Sequence, residues 1–201
     1  MTQHMILGLL FLAWVPGATG GSNSTRLPTQ STVPLNSAEA KPVIVIHAYD
    51  DGLAGVRAAN PDVRLSVGRD PSLSDERVLL VEYPVPTDDP AGRDVHCAAE
   101  NQDWTGGRAI SFQIKPTRPM RLSLSFVDRN RVAYTAWTEL QGGVWQLVRI
   151  PFDEIRANPF FQPPDAKTGA PLDVSDVKGI AFAPHDHTSG RLAISQFIVS
   201  K

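Results

Sequence analysis

The chain has 201 residues and a formal net charge of −2 at pH 7. Its length fits one domain of ordinary size with a tail, and the near-neutral charge argues against a nucleic-acid binder, which usually carries a clear basic excess. The 17 prolines and 15 glycines are many for a helical protein and typical of a loop-rich β fold.

The amino-terminal residues predict export. An apolar run over residues 5–15 is too short to span a bilayer, and it is ended by Pro16 and Gly17 ahead of the small residues 18–20. This is the outline of a secretory signal peptide over residues 1–20, although no Lys or Arg precedes the run. An uncleaved anchor and a misassigned start are the alternatives. We therefore expect a secreted or periplasmic protein without membrane association after cleavage.

A linker separates this segment from the folded domain. Residues 21–42 are rich in Ser, Thr and Pro and hold few large apolar side chains. We expect the domain to cover residues 43–201. The single cysteine, Cys97, excludes an internal disulfide and is expected to be buried and inert among its apolar neighbours.

Strand signals follow one another at short spacing from residue 43 onward. Ile110, Phe112 and Ile114 alternate with polar residues, the period-2 pattern of a strand with one face in a core. Similar runs, separated by Pro, Gly, Asn or Asp, predict an all-β fold with about ten strands and a single helical turn at 152–157. The predicted strands cover residues 43–47, 63–67, 77–83, 94–99, 109–115, 120–127, 131–138, 144–150, 179–183 and 191–199.

The last predicted strand changes phase along its length. Leu192 and Ile194 share one phase of the alternation, whereas Phe197 and Val199 share the other. A bulge near Ser195 is expected, because it would return all four side chains to one face.

The order of several short motifs carries a resemblance to known domains. The motifs are an Asp-Trp corner at 103–104, a strand that ends in Asp128, a Gly-x-Trp at 143–145 that leads into Ile-Pro-Phe at 150–152, and a Leu-Asp-x-Ser segment at 172–175 before the closing strands. This order resembles the galactose-binding-like jelly-roll domains, particularly the β-glucan-binding carbohydrate-binding modules. It is also similar to the complex I intermediate-associated protein family. The resemblance implies a jelly-roll β-sandwich of two antiparallel sheets.

The function that the resemblance implies is non-catalytic binding of a polysaccharide or oligosaccharide, by aromatic stacking and polar contacts on a sheet face. A protein-interaction or assembly module and a carbohydrate-active enzyme on the same scaffold are the alternatives. The sequence has no Gly-x-Ser-x-Gly elbow, no His-Glu-x-x-His zinc signature and no phosphate-binding glycine loop. Catalysis therefore finds little support.

Aromatic rings that can stack on pyranose faces are the first candidates for the binding site. Tyr134 and Trp137 lie on one predicted strand at an odd separation, so alternation puts them on opposite faces. Trp137 has the more polar neighbours and is the first choice, Tyr83 at the end of its strand is the second, and Tyr134 is a further candidate. Trp104 and Trp145 match structural corners of the resembling families and are expected in the core.

Three polar side chains are candidates for contacts with sugar hydroxyls: His96, Asp128 and Arg129. Each has a second interpretation. The sequence Asp-Arg-Asn at 128–130 is also that of an ordinary hairpin turn, and His96 beside Cys97 fits a partly buried histidine whose hydrogen bonds are satisfied.

A structural calcium ion is a further expectation from the resemblance. The segment 48–52 is similar to the acidic opening of these modules, where a carboxylate often helps to hold calcium. The candidate ligands are Asp50 and Asp51. The last strand reads Ile-Ser-Gln-Phe at 194–197, where the resembling modules often have Asp, so further oxygen ligands are not evident.

The sequence His185-Asp186-His187 offers two imidazoles at the spacing of some metal sites. No third ligand is visible in the sequence, and we therefore expect a solvated loop.

Overall fold

In the computed structural model, the described residues are 42–73, 77–86 and 92–201. The predicted signal peptide and residues 21–41 of the predicted linker lie outside them. Within the described ranges, no helix has the length and apolarity that a bilayer crossing requires.

These ranges hold thirteen strands, numbered here in chain order, and one 3₁₀ turn at Phe152–Glu154. The strands are β1 (Pro42–His47), β2 (Val56–Ala58), β3 (Arg64–Arg69), β4 (Arg77–Tyr83), β5 (Val95–Gln102), β6 (Ala109–Pro116), β7 (Met120–Asp128), β8 (Ala133–Leu140), β9 (Gln146–Pro151), β10 (Arg156–Ala157), β11 (Val177–His185), β12 (Gly190–Ile194) and β13 (Phe197–Ser200).

The strands form two antiparallel sheets. In sheet I, β6 has β9 on one side and β12 followed by β13 on the other. Next to these, β12 pairs with β4, which pairs with β3, whereas β13 pairs with β1. Sheet II runs in the order β10, β8, β7, β11, β5, β2. The chain thus crosses repeatedly between two layers, as expected for a β-sandwich.

The ten predicted strands are all present, with ends that differ by a few residues. Alternation missed β2 and β10, which have three and two residues, because such short strands show no period. The predicted helical turn at 152–157 is a single 3₁₀ turn followed by β10.

The predicted bulge in the last strand is confirmed. Ile194 pairs with Ile114, and four residues further on Ile198 pairs with Ser111, only three residues back along β6. The extra residue lies between β12 and β13, at the position predicted near Ser195. The bulge keeps the core-facing set buried: Leu192, Ile194, Phe197 and Val199.

The core fills the space between the inner faces of the two sheets. Alternate residues of β6 and β7 supply large side chains to it, and the others face outward. Burial of such a side chain contributes about 1.5–3 kcal/mol to folding. The inward set on these two strands is Ile110, Phe112, Ile114, Leu122, Leu124 and Phe126.

Trp104 forms one corner of this core, as predicted. Its ring is fully buried, stacks on Phe152 at a centroid distance of 5.9 Å and meets the edge of Phe126 at 6.3 Å. Its Nε1–H donates to Oε1 of Gln102 at 3.1 Å, which satisfies the polar end of the indole.

Candidate functional site

The outer face of sheet II has a floor of small side chains. The large residues of β7 point into the core, so the alternate residues Ser123 and Ser125 point outward. In the register of the sheet, Ala183 of β11 lies beside Ser123 and Ala181 beside Ser125. The centre of this face is therefore low, and larger residues around it form walls.

A groove with a volume of about 590 Å³ lies on this face, and its lining includes Ser125 and Ala181. Segment 158–163 contributes Phe161 to its lining on the β8 side of the sheet. Arg57 and His96 line the groove on the β2 and β5 side. We refer to this space as the sheet II groove.

The segment 158–163 is held at the start of β8 by hydrogen bonds to the backbone of Ala133. The Gln162 side chain accepts from the backbone N–H of Ala133 at 3.0 Å and donates to its carbonyl oxygen at 2.7 Å. The backbone N–H of Asn158 donates to the same carbonyl at 2.7 Å. These contacts hold Phe161 at the groove, whereas the neighbouring Phe160 is 83% exposed.

The opposite wall carries charge. In the register of sheet II, Arg57 lies opposite His96, which lies opposite Ala181 on the floor. Desolvation, together with the nearby guanidinium of Arg57, lowers the pKa of His96. Asp94, just before β5, shares the outward phase of His96 but does not line the groove. Burial raises the pKa of Asp94 to about 6.

Beyond the groove, the same face ends in an aromatic and cationic cluster. The guanidinium carbon of Arg121 lies 4.2 Å from the centroid of the Trp137 ring, a cation–π contact. The ring of His185 packs on Trp137 at a centroid distance of 4.6 Å and an angle of 59°. Trp137 faces outward and is half-buried, because these two neighbours cover much of its ring.

Ser123 and His185 form the hydrogen bond at the centre of this cluster. Oγ of Ser123 lies 2.8 Å from Nε2 of His185. Desolvation and the cations Arg93 and Arg121 lower the pKa of His185 to about 4. His185 is therefore neutral at physiological pH.

The loop that follows β11 is anchored by a buried ion pair. Arg93 donates from Nη1 to Oδ1 of Asp186 and from Nη2 to its carbonyl oxygen, both at 2.7 Å. The Tyr83 hydroxyl donates to Oδ2 of the same carboxylate at 3.1 Å. The expectation of a solvated loop at 185–187 is wrong for Asp186, whose side chain is only 11% exposed, and right for His185 and His187, which are both exposed.

Comparison with known proteins identifies the family. The family model described as "Carbohydrate binding domain (family 11)" matches residues 88–198. The chain belongs to the family 11 carbohydrate-binding domains. No curated protein matches the sequence significantly. The predicted carbohydrate binding and the predicted resemblance to β-glucan-binding modules are thus confirmed at the level of the family, and the match does not favour an assembly module of the complex I type.

Solved structures confirm the jelly-roll fold. The family 11 module from Clostridium thermocellum in complex with a β-1,3-1,4-mixed-linked tetrasaccharide has a TM-score of 0.61 and 20% identity, with coverage of 82% of this chain and 98% of that one. The family 11 module of the cellulosomal cellulase Lic26A-Cel5E from the same organism has a TM-score of 0.55, 21% identity and coverage of 73% and 84%. The family 30 module of its cellulase Cel9D-Cel44B has a TM-score of 0.51, 14% identity and coverage of 82% and 95%.

Two of the predicted binding residues of this family 11 domain lie on the outer face of sheet II. His96 lines the sheet II groove, and Trp137 lies in the cluster beyond it. Tyr134 occupies the opposite phase of the Trp137 strand and is 1% exposed. The hydroxyl of Tyr134 donates to the carbonyl oxygens of Ala170 and Pro171 at 3.1 and 3.0 Å. Tyr134 is therefore a core residue that cannot stack on a surface ligand.

Tyr83, the second choice for stacking, is also placed differently from the prediction. It is 3% exposed, because it shares the inward phase of Leu79 and Val81. Its hydroxyl supports Asp186, and burial followed by the nearby Asp186 carboxylate raises the pKa of Tyr83 to about 12. Tyr83 thus supports the loop beside the cluster instead of offering a ring to solvent.

Asp128 and Arg129 belong to a turn, the second interpretation given to them. Asp128 is fully buried, and its carboxylate accepts from the backbone N–H groups of Asn130 at 2.9 Å, Val132 at 3.3 Å and Asp173 at 3.2 Å. Arg129 is exposed and forms an ion pair with Asp173 at 2.7 Å. Asp128 is therefore unavailable to a ligand.

Trp145 departs from its expected place in the core. It is half-buried, and Nζ of Lys115 lies 5.9 Å from the centroid of its ring. Cys97 is buried, as expected, and burial raises the pKa of its thiol to about 12.

The calcium site stays a prediction. Asp50 and Asp51 are both exposed, and a guanidinium N–H of Arg77 donates to the Asp50 carbonyl oxygen at 2.7 Å. Among the described residues, no three His, Cys, Asp or Glu side chains converge as a metal site. The surroundings of this pair do not favour a dication, which requires several oxygen ligands.

Two residues that line the groove, Phe161 and Arg57, and the exposed Phe160 beside it were not predicted from the sequence. The predicted stacking rings were Trp and Tyr only, and Phe160 and Phe161 lie in a segment without periodicity. Arg57 was overlooked because β2 is too short to be recognised. The run Asn-Pro-Phe-Phe at 158–161, with two rings in a proline-rich loop, was the available signal.

Replacement of Asp128 by Ala should destabilise the domain without removing its binding site. The change leaves three backbone N–H groups without their acceptor, that of Val132 buried and those of Asn130 and Asp173 partly buried, at a cost of about 2–4 kcal/mol. Thermal unfolding measures the loss, with exposed Asp62→Ala as the control. An Asp128→Ala protein with unchanged stability and lost glycan binding would restore Asp128 as a contact residue.

The stability of the domain should depend on pH through Asp94. Its folded-state pKa of about 6 exceeds the ordinary 3.8, so the folded state holds the proton more tightly. The resulting stabilisation is full below about pH 4 and is lost as the pH rises through about 6. Asp94→Asn should therefore stabilise the protein by about 1–3 kcal/mol at about pH 7.5 and by much less at about pH 4. Equal shifts in melting temperature at the two pH values would contradict this assignment.

Proposed function

We propose that the sheet II groove is the glycan-binding site of this family 11 domain. The observation that carries the proposal is the groove itself, in which a floor of Ser125 and Ala181 lies between the Phe161 wall and the polar wall of Arg57 and His96. A pyranose ring has apolar faces and polar edges, and such a space offers partners for both.

The stacking contact is assigned to Phe161 and Phe160 in preference to Trp137. Phe161 lines the groove, and Phe160 beside it is 83% exposed. The Trp137 ring, in contrast, already holds the Arg121 guanidinium over its face and His185 against it. A sugar at the Trp137 end of the face would therefore contact Arg121 and His185 together with the ring edge. It could stack on the ring face only if it displaced Arg121.

A soluble β-glucan is the proposed ligand class to test first. One similar solved module is in complex with a β-1,3-1,4-mixed-linked tetrasaccharide. The order of motifs in this chain resembles that of β-glucan-binding modules, and the sheet II groove lies on the outer face of the sheet, where an internal stretch of a polymer can reach it.

The proposed function is non-catalytic. Glycoside hydrolysis needs two carboxyl groups across the scissile bond, and no Asp or Glu lines the sheet II groove among the described residues. The Ser123–His185 pair resembles half of a nucleophilic triad, but its neighbouring carboxylate, Asp186, is engaged by Arg93 and Tyr83. Without a carboxylate to orient it, a histidine of pKa about 4 is a weak general base.

The proposed location is outside the cell, where polysaccharide is available. This rests on the signal-peptide pattern over residues 1–20 and on the similarity to modules of cellulosomal cellulases.

Affinity electrophoresis in gels that contain mixed-linked β-glucan tests the proposal. The wild-type protein should be retarded. Phe161→Ala should weaken binding about tenfold, in line with about 1–1.5 kcal/mol for an aromatic contact, and Phe160→Ala by a smaller factor. Val45→Ala, which removes an exposed apolar side chain from β1 of sheet I, is the matched control and should bind as the wild type does.

Two outcomes would count against this assignment. Free migration of the folded wild-type protein in every β-glucan gel would contradict glycan binding of this class. Retained affinity in Phe161→Ala, with loss in Trp137→Ala, would move the stacking contact to the cluster.

A further inference from the structure

The charged side chains that line the sheet II groove are all cationic. Three cationic side chains, Arg57, Arg131 and Lys178, line it together with His96, whereas no carboxylate of the described residues does. The chain as a whole has a net charge of −2. The positive charge is therefore a local property of this groove and does not reflect an overall basic composition.

Two of these cations have partners outside the groove lining. Arg131 forms an ion pair with Asp165, and Lys178 with Asp176 at 2.7 Å. The Arg131–Asp165 pair is open to solvent and the Lys178–Asp176 pair is partly exposed, and such ion pairs contribute little net stability. An anion in the groove can therefore compete with these carboxylates at low cost.

Arg57 differs from the other two cations. It is exposed, and it has no ion pair with any residue that the structure describes. Its position in β2 places it two strands from Ala181, across His96. At about 4.8 Å per strand, its backbone is about 10 Å from the floor strand, a distance that the Arg57 side chain and a substituent of the sugar span together. Its guanidinium offers the planar fork of donors that matches a carboxylate or sulfate.

We propose that the ligand of the sheet II groove is an acidic glycan, in which a carboxylate or sulfate substituent pairs with Arg57 while the sugar rings lie against Phe161 and the small-residue floor. This inference rests on the proposed glycan-binding function and specifies the chemical class of its ligand. The apolar side of the groove accounts for binding of the rings, and the cationic side selects among glycans by charge.

Three soluble polymers that share a β-1,4-glucan backbone and differ in the charge of their substituents separate the effect of charge on binding from the effect of the backbone. Hydroxyethyl cellulose is neutral, carboxymethyl cellulose carries carboxylates, and cellulose sulfate carries sulfate groups. Affinity electrophoresis and isothermal titration should show about tenfold tighter binding to at least one charged polymer than to the neutral one at low salt. The advantage should shrink when the ionic strength rises to about 0.5 M. The preferred charged polymer identifies the substituent.

Two matched variants test the assignment to Arg57. Arg57→Gln should lose about tenfold in affinity for the preferred charged polymer and stay within twofold of the wild type on hydroxyethyl cellulose. Arg64→Gln makes the same change of charge at an exposed position of β3 in sheet I and should leave all affinities unchanged. Thermal unfolding of both variants checks that they are folded.

The results distinguish failure of the acidic-glycan proposal from failure of glycan binding itself. Equal affinity for neutral and charged polymers would overturn the acidic-glycan proposal and leave glycan binding intact. Equal losses in Arg57→Gln and Arg64→Gln would show a general charge effect and would also overturn it. If no cellulose derivative and no mixed-linked β-glucan is bound, the proposed function itself fails, and the acidic-glycan proposal fails with it.

Discussion

The alternation of large and small side chains along the central strands of sheet II is the constraint on which both the fold and the site depend. Leu124 and Phe126 of β7 face the core, whereas Ser123 and Ser125 face outward. The inward residues hold the two sheets together by burial of apolar surface. The outward residues are small, and the sheet II groove can form above them because they rise little above the backbone. A large residue at Ser125 would fill the groove without disturbing the core.

At the end of this face that carries Trp137 and His185, a buried ion pair holds the structure in place. The Arg93–Asp186 pair is almost fully buried, and a buried pair persists only where further hydrogen bonds satisfy both partners. The Tyr83 hydroxyl and the carbonyl oxygens of Asp186 and Thr188 supply these bonds. The loop after β11 is therefore held in one position before a ligand arrives, and His185 at the end of β11 contacts Trp137. Such preorganisation lowers the entropic cost of binding.

The fold could be predicted almost completely from sequence, because alternation is local and each strand carries its own signal. The same rule, applied consistently, would also have assigned Tyr83 to the core, since it shares the phase of Leu79 and Val81. The role of Asp128 could not be predicted, because one of its three backbone donors comes from Asp173, which is 45 residues away. Phe161 was equally hidden, since the contacts that fix its loop at the groove, from Gln162 and Asn158 to Ala133, join residues more than 20 positions apart in the sequence.

The outer face of sheet II is chemically asymmetric along its length, and this bears on how a polymer can lie on it. The groove end combines the exposed ring of Phe160 with Phe161, whereas the other end presents the Arg121 guanidinium held over Trp137. Across the strands, the β8 side is apolar and the β2 side carries Arg57. A glycan chain has inequivalent ends and edges, so reversal of its direction would exchange ring contacts for charge contacts. In the proposed binding mode, the walls of this face would therefore distinguish the two directions of a bound chain, whereas its small-residue floor would not.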